Sequence, residues 1–198
     1  MFELIYPYEP VQVLPPKRAS DNNGDGQQEQ KQEMFPVIEP SGLVTAMAPR
    51  SFCHSGTMVL HPVVHLHIMD RYSRLYLQKR SMSKDIQPGK WDTAVGGHVG
   101  FGELIHKALY REAAEELGLR EFNPTYICSY EFESEVEREL VNVFAVIGSY
   151  DLHPDMEEVE EGRFWEISEI DESLGKSVFT PNFEAEYVKI KNTLLSLL

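Results

Sequence analysis

The chain has 198 residues, enough for one domain with a real core and an additional arm. Acidic residues outnumber basic ones 32 to 18, a formal charge of -14. That balance opposes binding to a nucleic-acid polymer or an anionic membrane and suits a small anionic substrate held through a metal. Two cysteines, Cys53 and Cys128, are too few for a disulfide framework and normal for a reducing cytosol. No run approaches a membrane span, and the start MFELIYPYEP has neither the basic end nor the continuous apolar stretch of a signal peptide. The expectation is a soluble, cytoplasmic protein.

Residues 1–16 are apolar but interrupted by Pro7, Pro10, Pro15 and Pro16, and read as an arm or short docked strand. Residues 17–33, KRASDNNGDGQQEQKQE, are polar and poor in aliphatic side chains, the composition of a linker. Residues 1–33 are therefore assigned to an arm and linker and residues 34–198 to the domain. FPVIE and LVTAMA flank Pro40-Ser41-Gly42 and predict a first hairpin. His61 to Met69 alternates and leads through Asp70 to Ser73 into RLYLQKR, a second strand pair; Pro88-Gly89 then turns the chain into WDTAVGG.

From Gly97 to Leu119 the sequence is GHVGFGELIHKALYREAAEELGL, a glycine-rich loop entering a helix that stops at Gly118. Ile105, Leu109, Ala113 and Leu117 form its apolar stripe. Glu112 and Glu116 fall beside that stripe and Glu115 on its flank. Carboxylates at i, i+3 and i+4 repel one another and ask for a cation, and clustered oxygen ligands suit Mg²⁺ or Mn²⁺ shared with a phosphate-bearing substrate.

Beyond it, TYICSYEFE and ELVNVFAVIG predict paired strands around Ser134 to Arg138. The acidic loop HPDMEEVEE precedes a strand at RFWEI. Ser168 is read as the cap of a short helix through Leu174. Thr180-Pro181 starts the last helix, with Phe183, Tyr187, Ile190, Leu194 and Leu195 on its buried side. Mixed strands with helices on both faces give an α/β class, an α/β/α sandwich with a mixed β-sheet.

Glycine, five residues, Glu, seven residues, then Arg-Glu-x-x-Glu-Glu-x-Gly-Leu resembles the Nudix box, the signature of hydrolases that cleave nucleoside diphosphates linked to another moiety. Gly97, Glu103, Arg111, Glu112, Glu115, Glu116, Gly118 and Leu119 match it. The resemblance implies that Glu112, Glu115 and Glu116 bind Mg²⁺ or Mn²⁺ and that Glu103 and Arg111 hold the cluster in shape. It also implies that a carboxylate, Glu115, Glu116 or Glu139, activates water.

From about His54 to Leu119 the chain is similar, without a gap, to type I isopentenyl-diphosphate isomerase, a Nudix-fold enzyme. That family's metal site uses two histidines seven apart, a third after the glycine loop begins, and two glutamates separated by one residue. Here those are His54, His61, His98, Glu137 and Glu139. Three imidazoles with two carboxylates suit Mn²⁺, Zn²⁺ or Mg²⁺. Arg80 and Lys84 match the isomerase's basic diphosphate positions, and Gly96 and Gly97 lie at the substrate. His65 and His67 share a strand face with His61 but inherit no role and are read as structural, core or surface residues.

The isomerase needs a cysteine just before its Gly-His pair, where this chain has Gly96, and it lacks the full glutamate set that this chain keeps. The leading expectation is a metal-dependent Nudix hydrolase acting on a small-molecule diphosphate. Behind it stand an isomerase-like enzyme and a non-catalytic diphosphate-sensing module. Nudix relatives are often dimers, so the resemblance admits a homodimer with the N-terminal arm as the element exchanged.

Overall fold

The computed structural model describes residues 3–15, 32–83, 86–156 and 159–198. The linker through residue 31, Lys84, and Glu157 of the acidic loop lie outside the described residues. The chain divides into two compact units. One comprises Met1–Val63, His98–Ala108 and Ser129–Val141, and the other Val64–Gly97, Leu109–Cys128 and Asn142–Leu198.

In the first unit β1 (Gln12–Val13), β2 (Met34–Ile38) and β3 (Val44–Pro49) form a sheet in the order β1-β3-β2. The expected hairpin is β2 against β3, antiparallel, turning through Gly42 at φ 91. That left-handed conformation is one that glycine adopts without strain. Phe35, Val37, Ala46 and Ala48 pack with Cys53 from the short helix α1 (Arg50–Cys53). The arm docks in parallel along β3. Ile5 N–H donates to Gly42 O, Val44 N–H to Ile5 O and Leu14 N–H to Met47 O, all at 2.8 Å. Its prolines carry no N–H to donate, which keeps the added strand short.

A second sheet has the path β10-β5-β4-β9-β8, with β6 paired to β5 and β7 to β4. Its strands are β4 (Leu60–Met69), β5 (Leu75–Arg80), β6 (Trp91–Asp92), β7 (Val95–His98), β8 (Thr125–Glu133), β9 (Arg138–Ile147) and β10 (Val159–Trp165). With parallel and antiparallel pairing and four helices among the described residues, the α/β class is as expected. The β4–β5 turn is closed by Asp70, whose carboxylate accepts from the Tyr72 and Arg74 amides at 2.9 and 3.0 Å. All ten residues of β4 are buried. Its histidines are inside the protein, with partners there.

Helix α2 (Ile105–Leu117) buries the predicted stripe together with Ala108 and ends at Gly118, φ 65. Leu119 N–H closes back on Ala113 O at 3.0 Å, satisfying a terminal carbonyl. Helix α3 (Ile167–Ser173) corrects one expectation. Its N-cap is Glu166, whose amide donates to the Glu169 carboxylate at 2.9 Å, while Ser168 lies inside the first turn. Helix α4 (Pro181–Ser196) starts as predicted, the Thr180 hydroxyl accepting from Phe183 N–H at 3.1 Å. Its buried face carries Phe183, Tyr187, Ile190 and Leu194, and also Glu186. Leu195, expected there, is half-buried. Cys128 is also half-buried, on β8.

Candidate active site

On α2 the acids stand as their spacing requires. The Glu112 side chain is 13% exposed and points inward, Glu116 is half-buried, and Glu115 is 60% exposed. The Arg111 guanidinium donates from Nη1 to Glu112 Oε1 at 2.7 Å and to Glu115 Oε2 at 3.1 Å, offsetting their mutual repulsion. Glu112 fits only because residue 97 is glycine, since a Cβ there would fall inside the Glu112 carboxyl group. Glu116 Oε2 accepts from Gln78 Nε2 at 2.7 Å. Gln78 is buried on β5 and also donates to Ala94 O, and its Oε1 has no hydrogen-bond partner among the described residues. No sequence signal distinguished Gln78 from an ordinary strand residue.

Glu103 closes the glycine loop on itself, accepting from Gly100 N–H at 2.9 Å while its own N–H donates to Gly100 O. Arg80 is engaged within its own unit, with Nη1 3.5 Å from Asp92 Oδ2 and Nε donating to Ile86 O at 3.1 Å.

The first unit brings the three expected histidines together. His54 Nε2 lies 3.0 Å from His98 Nε2 and 3.2 Å from Glu137 Oε2. His61 donates from Nδ1 to Val59 O at 3.1 Å, which leaves its Nε2 buried with no hydrogen-bond partner among the described residues. One ligand atom from each of His54, His61, His98 and Glu137 falls within 4.8 Å of the others. Glu139 stands at the rim, Oε1 4.0 Å from His98 Nε2. Phe35 stacks on His98, with centroids 4.4 Å apart and planes 1° from parallel, and on His61 at 5.8 Å. It walls the cluster with an apolar face.

Burial pulls both His54 and His61 down to about 4, with the Arg50 charge adding to the effect. Both are therefore neutral imidazoles near neutral pH, the form that binds metal. Converging ring nitrogens, one of them orphaned, beside a carboxylate fit a divalent cation. Cys53 does not join them. Burial and the Glu137 charge push its thiol up to about 12, and it packs in the apolar cluster under β2 and β3.

One group escaped the sequence reading. Glu186 of α4 is wholly buried, holding His65 and His67 of β4. Its place three residues after Phe183 and four before Ile190, inside the apolar stripe, was the available signal.

The family model for the NUDIX domain matches residues 59–183. An isopentenyl-diphosphate Delta-isomerase of Clavibacter michiganensis subsp. michiganensis is 27% identical over 138 residues, 67% of this chain and 71% of that protein. An uncharacterized Nudix hydrolase of Streptomyces coelicolor is 26% identical over 169 residues, 84% of this chain and 93% of the relative. Among solved structures, the MutT protein of Methanosarcina mazei Go1 superposes with a TM-score of 0.60 at 22% identity, covering 69% of this chain and 96% of that one. That likeness establishes the fold. No helix of the described residues is long and apolar enough to cross a membrane.

Proposed function

The chain belongs to the NUDIX domain family, and from that premise we propose that it is a Nudix hydrolase cleaving a diphosphate linkage in a nucleoside-diphosphate-type or related small molecule with Mg²⁺ or Mn²⁺. The observation that carries this reading is the fit of the Glu112 carboxylate into the space left by Gly97, with Glu115 and Glu116 on the same helix. A divalent cation bound by Glu112, Glu115 and Glu116 would neutralise charge on the diphosphate. The protein's own groups prepare that site. Arg111 restrains Glu112 and Glu115, Gln78 orients one oxygen of Glu116, and Glu103 fixes the loop ahead of the helix.

Gly96 and Gly97 would let backbone approach the substrate, and Arg80 and Lys84 would bind its phosphates in this reading. Glu115, Glu116 or Glu139 takes the proton of the attacking water. His54, His61, His98 and Glu137, with Glu139 beside them, would hold a second divalent ion, their converging ligand atoms supporting this reading.

The same histidine cluster, together with relatives named isopentenyl-diphosphate Delta-isomerase, favours a second reading, isomerisation of a prenyl diphosphate. Gly96 weighs against it, because glycine has no side chain to move a proton on carbon.

Phosphate release is the deciding assay, followed through a coupled phosphatase over nucleoside di- and triphosphates, nucleotide sugars, dinucleotides and isopentenyl diphosphate. Metal-dependent cleavage that falls by about a hundredfold in Glu116→Gln is the expected result. Silence across that panel, with isomerised prenyl diphosphate seen by NMR, sinks the hydrolase reading.

A further inference from the structure

Strand β5 is buried on both faces at Leu75, Tyr76 and Leu77, and Gln78 continues that run at 5% exposed. Burying an amide is unfavourable unless its polar atoms find partners, so an apolar residue would be the cheaper occupant. Both hydrogens of the Gln78 Nε2 are used. One goes to Ala94 O, in the chain that enters β7 and its two glycines, and the other to Glu116 Oε2 of α2 at 2.7 Å. These partners fix which way the amide faces. Turned over, it would set its oxygen against a carbonyl and a carboxylate, which are both acceptors.

Oε1 is therefore the atom left over. It is buried and accepts from no group among the described residues. The oxygen and nitrogen of an amide share one carbon and stand about 2.3 Å apart, so Oε1 lies within about 5 Å of Glu116 Oε2. A buried acceptor without a donor thus sits beside a carboxylate of the cation site. Water on a divalent ion is the complementary group. Mg²⁺ gives up its water reluctantly, and the charge of the ion makes a bound water a strong donor.

We propose that Gln78 is a positioning residue for the hydrated cation, its Nε2 fixing Glu116 and its Oε1 accepting from a water that the ion carries. This deepens, and rests on, the metal-dependent hydrolase reading above. A carboxamide donates to a carboxylate and accepts from water without bearing charge. It neither adds to the repulsion among Glu112, Glu115 and Glu116 nor competes with the ion for them, as a glutamate or a lysine at 78 would.

The test joins Mn²⁺ binding, followed through the EPR signal of the free ion, to ¹³C NMR of the carboxamides during titration with Mg²⁺. Glu116→Gln defines the share of binding that belongs to this site. The Gln78 Cδ resonance is expected to move downfield as Mg²⁺ is added and to stay in place in Glu116→Gln. Gln78→Met keeps the length of the side chain and removes both amide contacts. It should weaken Glu116-dependent Mn²⁺ binding about tenfold, the loss of one hydrogen bond to a charged group. Added to Glu116→Gln it should cost less than about threefold more, because both substitutions act on the same ion. A glutamine that only fills space would give the converse, a lower melting temperature in Gln78→Met with no response of Cδ to Mg²⁺.

A Cδ resonance unmoved by Mg²⁺, or Glu116-dependent Mn²⁺ affinity unchanged in Gln78→Met, overturns the proposal, and so does the lack of any Glu116-dependent binding. If Gln78→Met does not fold, the wild-type resonance decides. The two readings fail separately. Ion binding that depends on both Glu116 and Gln78, with no cleavage of any diphosphate, sinks the hydrolase reading alone. Metal-dependent cleavage by a protein whose ion binding is indifferent to Gln78→Met sinks this one alone.

Discussion

In the first unit, His54, His61 and His98 converge beside Glu137, with the His54 and His98 ring nitrogens 3.0 Å apart and His61 Nε2 orphaned. In the second, one carboxylate, Glu186, takes a hydrogen bond on each oxygen from His65 and His67. Both groups mix imidazole with carboxylate, and both were spelled by histidines spaced along β4 and its neighbours. Their stoichiometry separates them. Ring nitrogens of His54, His61 and His98 converge beside a carboxylate with His61 Nε2 lacking a hydrogen-bond partner, a set that an added cation would complete, whereas Glu186 accepts from an N–H donor on each oxygen. Proximity of histidines alone does not identify a metal site; the direction of the ring nitrogens does.

The contrast breaks most sharply at Glu186. Glu186→Gln removes the charge that both imidazoles face and should cost about 3 to 5 kcal/mol, as loss of one partner of a buried ion pair does. Thermal unfolding would show it as a drop on the order of 10 °C. A variant that melts with the wild type would mean that the clamp is not what secures α4 to β4.

His61→Asn is expected to behave in the opposite way. It retains a donor towards Val59 O and deletes a nitrogen with no hydrogen-bond partner, so metal-free stability should stay within about 1 kcal/mol. Mn²⁺ at a hundred times its Kd should stabilise the wild type by about 2.7 kcal/mol, and that gain should disappear in the variant. Equal stabilisation of both proteins would remove His61 from the ligand set.

Acid sharpens the comparison further. His54 and His61 are lowered to about 4 from an ordinary 6.5, so as pH falls the unfolded chain takes up their protons first. Their contribution to metal-free stability is complete above about pH 6.5 and is lost between there and about pH 4. Denaturation at a series of pH values reads this slope directly, and a flat profile across the interval would show that burial does not hold these rings neutral. The smallest effect is expected at the start of α4, where Thr180→Ala removes the acceptor for Phe183 N–H and should cost about 1 kcal/mol. Chemical denaturation of the metal-free protein resolves a change of that size.

The carboxylate helix was legible because local rules suffice for it. A 3.6-residue period, a glycine stop and acids at fixed spacing define α2 from within. Thr180-Pro181 did the same for α4. The members of the histidine cluster were legible only through a resemblance, since His54, His61, His98 and Glu137 come from four places in the chain and no period links them. Glu186 was missed because a carboxylate inside an apolar stripe looks like an interruption until its partners, 121 and 119 residues away, are known. Gln78 and the Ser168 cap illustrate a related limit. The first acts only through contacts distant in sequence, and the second lost its place to a Glu166–Glu169 pair.

The family match begins at residue 59, yet His54, the Phe35 ring that stacks on His98, and Tyr6, which accepts from Gly102 N–H at 2.8 Å, all precede it. The portion that could be moved into another protein with its histidine cluster intact is therefore longer than the portion by which kinship is detected. A graft cut at the boundary of the match would carry the acidic helix and leave behind one imidazole, its aromatic wall and the brace on the glycine loop.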